Sequence, residues 1–311
     1  HRPLYDWVID ECEFQPKPHQ YEFARLNLTR TIMSKRYLKK LVDEGVVESW
    51  DDPRMPTLAG LRRRGYPPEA IRVFCEAIGV SKANSEVDVG LLEHCIRDNL
   101  NVNADRVMVV KQPLKVTITN YPEGKSEILK IENHPNDQEK GYRDVKFSNQ
   151  IYIEQEDFKL VPPPKYHRLI KGGMVRLKGA YIIRCDEVIT DSNGEAIELK
   201  CTYFPESKSG SDTSGIKVKG VIHFVDCHEN YPCTVVDYDY LLEADDGSKK
   251  DFSERLNKNS KIVFENAVAE KALETAKIGV PYQFMRNAYY CLDSKSKVFN
   301  QIVGLKDSYK V

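Results

Sequence analysis

Ser34 and Lys35 lie where the turn Thr31-Ile32-Met33-Ser34 gives way to a basic, helix-like stretch, a pairing suited to a polyphosphate. Backbone N–H groups at a helix N-terminus point at an anion, and a lysine adds a mobile point charge. Taken alone, the same residues also fit a basic helix with an ordinary serine cap. Arg62, Arg63 and Arg64 form a compact cationic cluster that suits a phosphate backbone, and equally a solvated helix face. Asp51 and Asp52 are adjacent carboxylates with no third nearby, a poor set for a hard cation. Capping, with Arg54 as ion-pair partner, is their expected role. Cys227-His228 with Cys233 is the one Cys/His cluster, and without a paired second half it does not read as a zinc site. Lys165-Tyr166-His167-Arg168 and Val175-Arg176-Leu177-Lys178 place cations around an aromatic on neighbouring strand-like runs. Single-stranded bases are held by stacking, with cationic groups on their edges. An ordinary basic β-surface has the same look. His19, His94, His223 and His228 assemble no nucleophile–base pattern.

The elements that would position these residues fall into two zones. From Arg36 to Asn103 the pattern is helical. Arg36–Asp43 is amphipathic, with Tyr37, Leu38, Leu41 and Val42 apolar and Gly45 as its stop. Thr57 caps a helix that Gly65 ends, and Pro67-Pro68 opens Glu69–Ile78. Ser81–Val87 reads as a polar connection, and Val89–Leu100 as a further helix. After Asn103 short β-branched runs take over: 106–110, 114–119, 128–131, 150–153, 174–177, 180–183, 196–203, 218–225, 233–237, 261–264, 282–284 and 298–303. Turns are marked by Tyr121-Pro122-Glu123-Gly124, Ser192-Asn193-Gly194 and Asp245-Asp246-Gly247-Ser248, and Ser207–Gly215 reads as a flexible loop. Many short strands with regular turns predict one or two β-barrels, with Pro162-Pro163-Pro164 as the best internal boundary.

Length and composition bound the answer. The 311 residues are enough for two or three domains, and 41% hydrophobic with 30% charged residues is a globular composition. No apolar run reaches membrane-span length, and His1-Arg2-Pro3 opens no signal peptide. A net charge of −1 provides no global attraction for nucleic acid, so an RNA site must come from local basic clusters. Eight cysteines without a C-x-x-C pair point to a reducing, cytoplasmic setting.

Ile32-Met33-Ser34-Lys35-Arg36 resembles the KMSKS loop of class I aminoacyl-tRNA synthetases, in the M-S-K-R form of the glutamine/glutamate subgroup. Tyr21-Glu22-Phe23-Ala24-Arg25-Leu26-Asn27-Leu28 looks like the strand leading into that loop. Trp50-Asp51-Asp52-Pro53-Arg54-Met55-Pro56-Thr57 and Gly60-Leu61-Arg62-Arg63-Arg64-Gly65-Tyr66 match the same subgroup, closest to its glutaminyl branch. The resemblance runs from about Leu4 to the C-terminus. It implies an α+β multidomain chain: 1–35 the end of a Rossmann-type catalytic domain, and 36–103 a helical domain contacting the tRNA stem. Residues 104–163 with 242–311 would form a proximal anticodon-binding antiparallel β-barrel, and 164–241 a distal one inserted into it. The half carrying the HIGH motif and much of the amino-acid pocket is expected to be missing, leaving a C-terminal portion inactive by itself.

The resemblance also implies roles. Arg25, Leu26, Met33, Ser34 and Lys35 would bind ATP, with Leu26 giving backbone contacts to adenine. Lys35 and Ser34 would be catalytic, stabilising the charge that spreads over the phosphates. Without the resemblance, Arg25 reads as a strand-end arginine in a surface ion pair. Ser81, Lys82, Asn84 and Asp88 would touch the tRNA elbow. Arg106, Asn136, Lys165, His167, Arg168, Arg176, Lys178, Gln283 and Arg286 would surround the anticodon loop. Of these, Arg106, Gln283 and Arg286 would bound the middle base, Arg168 would face the third, and Arg176 and Lys178 the first. His167 stands where relatives can have Lys, Lys165 where they can have Gln, and Lys178 replaces an Arg, losing bidentate geometry. His223 would sit in a barrel strand as a satisfied structural histidine. The implied substrates are ATP with Mg²⁺ and, through the missing half, glutamine. The implied partner is tRNA(Gln), with a monomer, no membrane and no protein-bound metal. Two alternatives remain: a glutamyl enzyme of the archaeal/eukaryotic type, which shares the barrels, and a stand-alone RNA-binding module without catalysis.

Overall fold

The computed structural model describes residues 1–244 and 251–306, so the turn expected at 245–248 lies outside the described residues. Helix α1 (Arg2–Glu11) buries none of its residues, and Leu4, Trp7 and Val8 face outward. Strand β1 (Leu26–Leu28) leads into the Met33-Ser34-Lys35 loop and helix α2 (Lys35–Asp43). Ile32 fixes the loop's path: it is 5% exposed and packs with Leu38, Leu41, Met55, Leu241 and Leu242. A lysine at position 32 would have to bury its ammonium there. Gly45, at φ +69, follows the end of α2 as expected.

Helix α3 (Leu58–Arg64) begins at Thr57, whose hydroxyl accepts the Gly60 N–H at 2.9 Å, and ends at Gly65, φ +93. Helix α4 (Pro68–Ile78) has its proline in the first turn, where no N–H is needed. The polar connection expected at 81–87 contains a strand, β2 (Ser85–Val87), which pairs in parallel with β1. Only Val87 of its three residues is even partly covered, so no alternation betrays it. Helix α5 (Val89–Asn103) is capped by Asp88, which accepts the Gly90 N–H at 2.9 Å.

Beyond α5 the chain is β. It runs through β3 (Asp105–Val107), β4 (Val109–Val110), β5 (Pro113–Ile118), β6 (Ser126–Glu132), β7 (Tyr142–Ser148) and β8 (Gln150–Glu154). Next come β9 (Met174–Leu177), β10 (Ile182–Thr190), β11 (Ala196–Phe204), β12 (Val221–Ile222) and β13 (Val225–Asp226). It closes with β14 (Asn230–Tyr238), β15 (Lys261–Glu270), β16 (Pro281–Phe284), β17 (Ala288–Leu292) and β18 (Val298–Gly304). Alternation explains most of them: in β5, Leu114, Val116 and Ile118 turn inward and Lys115 and Thr117 do not. The expected run 106–110 is two strands, and 218–225 supplies only the two short ones, β12 and β13. Two strands went unpredicted. β7 alternates weakly, and in β17 Ala288 to Cys291 are all buried, an apolar run without period two.

Two seven-stranded, barrel-like sheets result, in the orders β12-β9-β10-β11-β5-β8-β13 and β3-β16-β17-β18-β14-β15-β4. Their membership corrects the expected segmentation. β5 and β8, assigned by sequence to the proximal barrel, pair with β11 and β13, while β14, assigned to the distal one, pairs with β15 and β18. One sheet is thus carried by 113–226 and the other by 105–110, 230–238 and 261–304. Pro162-Pro163-Pro164 is an exposed crossing between β8 and β9 of one sheet, because prolines break a ladder without having to end a domain. The sheets are mixed, not antiparallel: β11 runs parallel to β5, β12 to β9, β16 to β3 and β14 to β18.

The β6–β7 hairpin sends Leu129, Ile131, Val145 and Phe147 into the core of the first sheet. The second sheet shares a core with the helices, where Phe74, Leu92, Ile96 and Leu100 meet Tyr289, Cys291 and Ile302. Ser207, in the loop expected to be flexible, is fully buried, takes the Ile182 N–H at 2.7 Å and donates to the Phe204 carbonyl at 2.6 Å. That segment is anchored at its start.

Candidate nucleic-acid interface

Ser34 stands in extended backbone at the N-cap of α2 and makes no side-chain cap bond, so the first N–H groups of this nine-residue helix are not taken by it. Lys35, the next residue, is exposed. Met33 packs on the helical core, and Leu26 opens β1 beside it. Arg25, exposed, donates to Asn27 Oδ1 at 3.0 Å. Arg30, at φ +54, lays its guanidinium 4.1 Å from the Tyr240 ring centre and donates to the Leu242 carbonyl at 3.3 Å. The loop is therefore tied to the chain leaving β14. Beneath it lies an apolar cavity of about 180 Å³ lined by Leu28, Met33, Met55, Tyr66, Phe74 and Tyr240, among others.

The basic cluster after the loop comes apart in three dimensions. Arg63 grips the buried Asp293 with two bonds of 2.8 and 3.0 Å, and Arg64 donates to the carbonyls of Gln301 and Ile302. Only Arg62 is exposed, so two of the three join helix to sheet. Asp52 takes the expected structural part: 1% exposed, it accepts the N–H groups of Glu48 and Arg54 and the Arg54 guanidinium. Burial raises its pKa, but these bonds outweigh it and hold the carboxyl below its ordinary value.

Of the elbow residues, Ser81 bonds to Ala24 through its carbonyl at 2.8 Å, which sets the segment alongside β1. Lys82 and Asn84 are exposed. Asp88 is occupied as the α5 cap and accepts the Thr29 hydroxyl at 3.4 Å.

The anticodon candidates separate into three groups. Arg106 is 5% exposed and spends its guanidinium on the Ala104 carbonyl at 2.6 Å and on Asn101, carbonyl at 2.9 Å and Oδ1 at 2.8 Å. Gln283 is its neighbour across β3 and β16, and Asn136 sits at the same end through His134, which bonds to the Asn101 carbonyl. Arg176 donates to the Ser207 carbonyl at 2.6 Å and pairs with Asp212, while Lys178 lies 3.9 Å from Glu132. Lys165, at φ +63, and His167 are exposed.

The third group is the most enclosed. Arg286 makes two 2.6 Å bonds to Asp157, whose side chain has no exposed surface, and Arg168 stands 3.3 Å from the same carboxylate. His223 is 1% exposed, and its Nε2 bonds to the Val109 carbonyl at 2.8 Å. A carbonyl only accepts, so Nε2 carries the proton and Nδ1 accepts from Arg286 at 3.3 Å. Burial raises the pKa of Glu154, but His223 and the backbone N–H groups of Lys111 and Gln112 outweigh it and hold the carboxyl below its usual range. These residues line a polar cavity of about 100 Å³ with Lys111, Phe264 and Asn287. Arg106 and Gln283 do not line it, so the trio expected around one base is split, with Arg286 beside Arg168 instead. Asp157 and Glu154 were not singled out by sequence. Both sit at the end of β8, where Gln155-Glu156-Asp157 reads as a polar turn and nothing local announces a buried carboxylate. His223 lies between β12 and β13 rather than within a strand, but it is a buried, hydrogen-bonded histidine as expected, and it also orients Arg286.

No group of three or more His, Cys, Asp or Glu side chains suited to a metal ion is present among the described residues, and none of their helices is long and apolar enough to cross a membrane. Residues 1–102 match the family described as tRNA synthetases class I (E and Q), catalytic domain. Residues 104–204 and 221–293 match two anticodon-binding domain families of the same class. The chain is 53% identical to a glutamine–tRNA ligase of Clostridium perfringens, over all of this chain and 57% of that protein. It is 51% identical to the Clostridium kluyveri glutamine–tRNA ligase with the same coverage, and 47% to that of Bradyrhizobium diazoefficiens, over 99% of this chain and 56% of the relative. The chain thus spans a little over half the length of the curated relatives it matches.

Proposed function

This chain belongs to the class I tRNA synthetase family for Glu and Gln, and on that premise we propose that it is the portion of a glutamine–tRNA ligase carrying the ATP-phosphate loop and the anticodon-reading sheets. The whole protein would activate glutamine with ATP, releasing pyrophosphate, and esterify it to the 3′ end of tRNA(Gln). In that reaction the N–H groups at the start of α2 and the Lys35 ammonium would meet the phosphates as charge builds on them. Arg25 and Leu26, on the strand before the loop, would contact the nucleotide. Mg²⁺ would arrive with the phosphates it neutralises. The catalytic half of the site, including the amino-acid pocket, would come from the remaining length that the relatives possess.

Anticodon reading is assigned to the two sheets, and the observation that carries it is the convergence of Arg168 and Arg286 on buried Asp157. Arg286's bonds to Asp157 and His223 use three of its five guanidinium donors, leaving two for an RNA acceptor. An arginine held this way presents a fixed edge, which a base can match and a flexible lysine could not offer. Arg176, Lys178, Lys165 and His167 would hold neighbouring nucleotides, and Arg106, Gln283 and Asn136 the far side of the loop. Lys82 and Asn84 would touch the elbow.

Binding of this chain to tRNA(Gln) and to a copy altered at the middle anticodon base, across a salt series, tests the reading. Tight binding that weakens by roughly tenfold or more on the base change is expected, one lost base contact being worth about 1–3 kcal/mol. Equal, steeply salt-dependent binding to both RNAs would mean phosphate contacts alone and would overturn it. Preference for tRNA(Glu) would overturn the glutamine assignment.

A further inference from the structure

Cys185 on β10 and Cys201 on β11 face each other directly in the antiparallel register, and both are fully buried in the same core. The backbone bonds fix which kind of pair they form. Cys185 donates its N–H to the Gly173 carbonyl at 3.1 Å and accepts from the Gly172 N–H at 2.7 Å, both on the side away from β11. On the other strand, the Cys201 carbonyl accepts from Thr119 N–H at 2.8 Å, away from β10. The two cysteines are therefore a non-hydrogen-bonded pair, the narrow kind, with Cα atoms about 4.5 Å apart. A disulfide needs roughly 4.4–6.8 Å between its Cα atoms, so this pair lies within reach without moving either strand. Both thiols are free as the chain stands. The other buried sheet cysteines lack such a partner: Cys233 faces Ala267, and Cys291 faces Pro281 and Asn300.

We propose that Cys185 and Cys201 are an oxidisable pair that closes into an intramolecular cross-strand disulfide when the chain meets hydrogen peroxide. The thiols are unequal. The Cys185 thiol lies 3.7 Å from the Glu187 carbonyl, and its pairing with Cys201 lowers the pKa of Cys185 and raises that of Cys201. Cys185 is the attacking thiolate. Its sulfur takes one oxygen of the peroxide, the O–O bond breaks, and one water leaves with the proton released by Cys185, giving a sulfenic acid. The Cys201 sulfur then attacks the Cys185 sulfur, the S–S bond forms, and hydroxide departs with the Cys201 proton as a second water. Two electrons pass from the two sulfurs to the peroxide. Both sulfurs are buried, so oxidation would need a local opening, and the segment beside Cys185, Lys171-Gly172-Gly173, is joined to it by a single bridge rather than a full strand. Closure would staple β10 to β11 just where a bulge follows Cys185.

The test uses the reduced, folded chain treated with hydrogen peroxide, alkylated and digested with trypsin without reductant. Trypsin cuts after Arg184 and Lys200, so Cys185 lies in the peptide 185–200 and Cys201 in the peptide 201–208. The expected product is these two peptides joined, lighter by two hydrogens than their sum and separated by dithiothreitol. Cys201→Ser should leave a sulfenic acid on Cys185 that dimedone traps. Recovery of both peptides as alkylated free thiols, at a peroxide dose that oxidises the exposed Cys12 and Cys75, would overturn the proposal. So would Cys185 joined chiefly to any cysteine other than Cys201. The first readout needs no variant, so a poorly folding substitution does not blunt it.

Discussion

Asp157 has no exposed side-chain surface, yet its two oxygens take both Nη groups of Arg286 at 2.6 Å each, with Arg168 3.3 Å away. Removing one partner of such a pair leaves the other's charge buried and unmatched, so Asp157→Asn should lower stability by roughly 3 kcal/mol in urea unfolding. It should also release both arginines and weaken RNA binding beyond the stability effect. A variant with unchanged urea midpoint would show that the pair does not hold this corner together. Glu154 makes the same point through pH. Its folded pKa lies below the ordinary carboxylate value, so its stabilisation is present above the unfolded pKa of about 4.3 and is lost as pH falls through the lower folded value. Glu154→Gln should therefore flatten the fall in stability on acidification below about pH 5. An unchanged slope would place the acid sensitivity in other carboxylates, such as Asp52 and Asp293, whose bonds to Arg54 and Arg63 likewise outweigh the opposing effect of burial.

At the scale of elements, the helices were legible because their punctuation is local chemistry. Thr57 and Gly65 bracket α3 as their residue types announce, and Asp88 caps α5 with a bond of 2.9 Å. Thr57→Ala should cost about 1 kcal/mol in thermal or urea unfolding. Gly65→Ala should cost more, roughly 2 kcal/mol, because the residue sits at φ +93 and its Cβ would meet Cys291 Sγ at 2.5 Å. If Gly65→Ala were the milder of the two, the close packing of α3 on the second sheet would be misjudged. Strands were legible wherever one face is wet, as in β5, and hidden where every residue is covered, as in β17. Which sheet a strand joins was not legible at all. Val235 of β14 meets Phe264 and Phe299 across 29 and 64 residues of chain, and no local pattern encodes those partners. The site followed the same divide: the exposed, basic Lys165–Arg168 run could be picked out, while the buried carboxylate that organises it could not.

Across the whole molecule, shared cores connect the parts. The helices share theirs with the second sheet, where Met33 also packs, and Ile32 at the start of the Met33-Ser34-Lys35 loop packs in another with Leu241 and Leu242, just past β14. Arg30 adds a guanidinium stacked on Tyr240 at 4.1 Å. The loop proposed to meet ATP is therefore packed on a segment that continues from the second sheet, without an intervening linker. With a net charge of −1, the chain has no overall field to draw RNA in, so discrimination must come from a few fixed edges. The central claim is that Arg286, held by Asp157, reads an anticodon base. A double-mutant cycle tests it most directly: Arg286→Ala and the altered middle base of tRNA(Gln), singly and together, with binding measured at constant salt. Non-additive losses are expected, the base change costing roughly tenfold in the unaltered chain and almost nothing in the variant. Additive losses would place Arg286 on the phosphates or in the fold, and the base reading elsewhere.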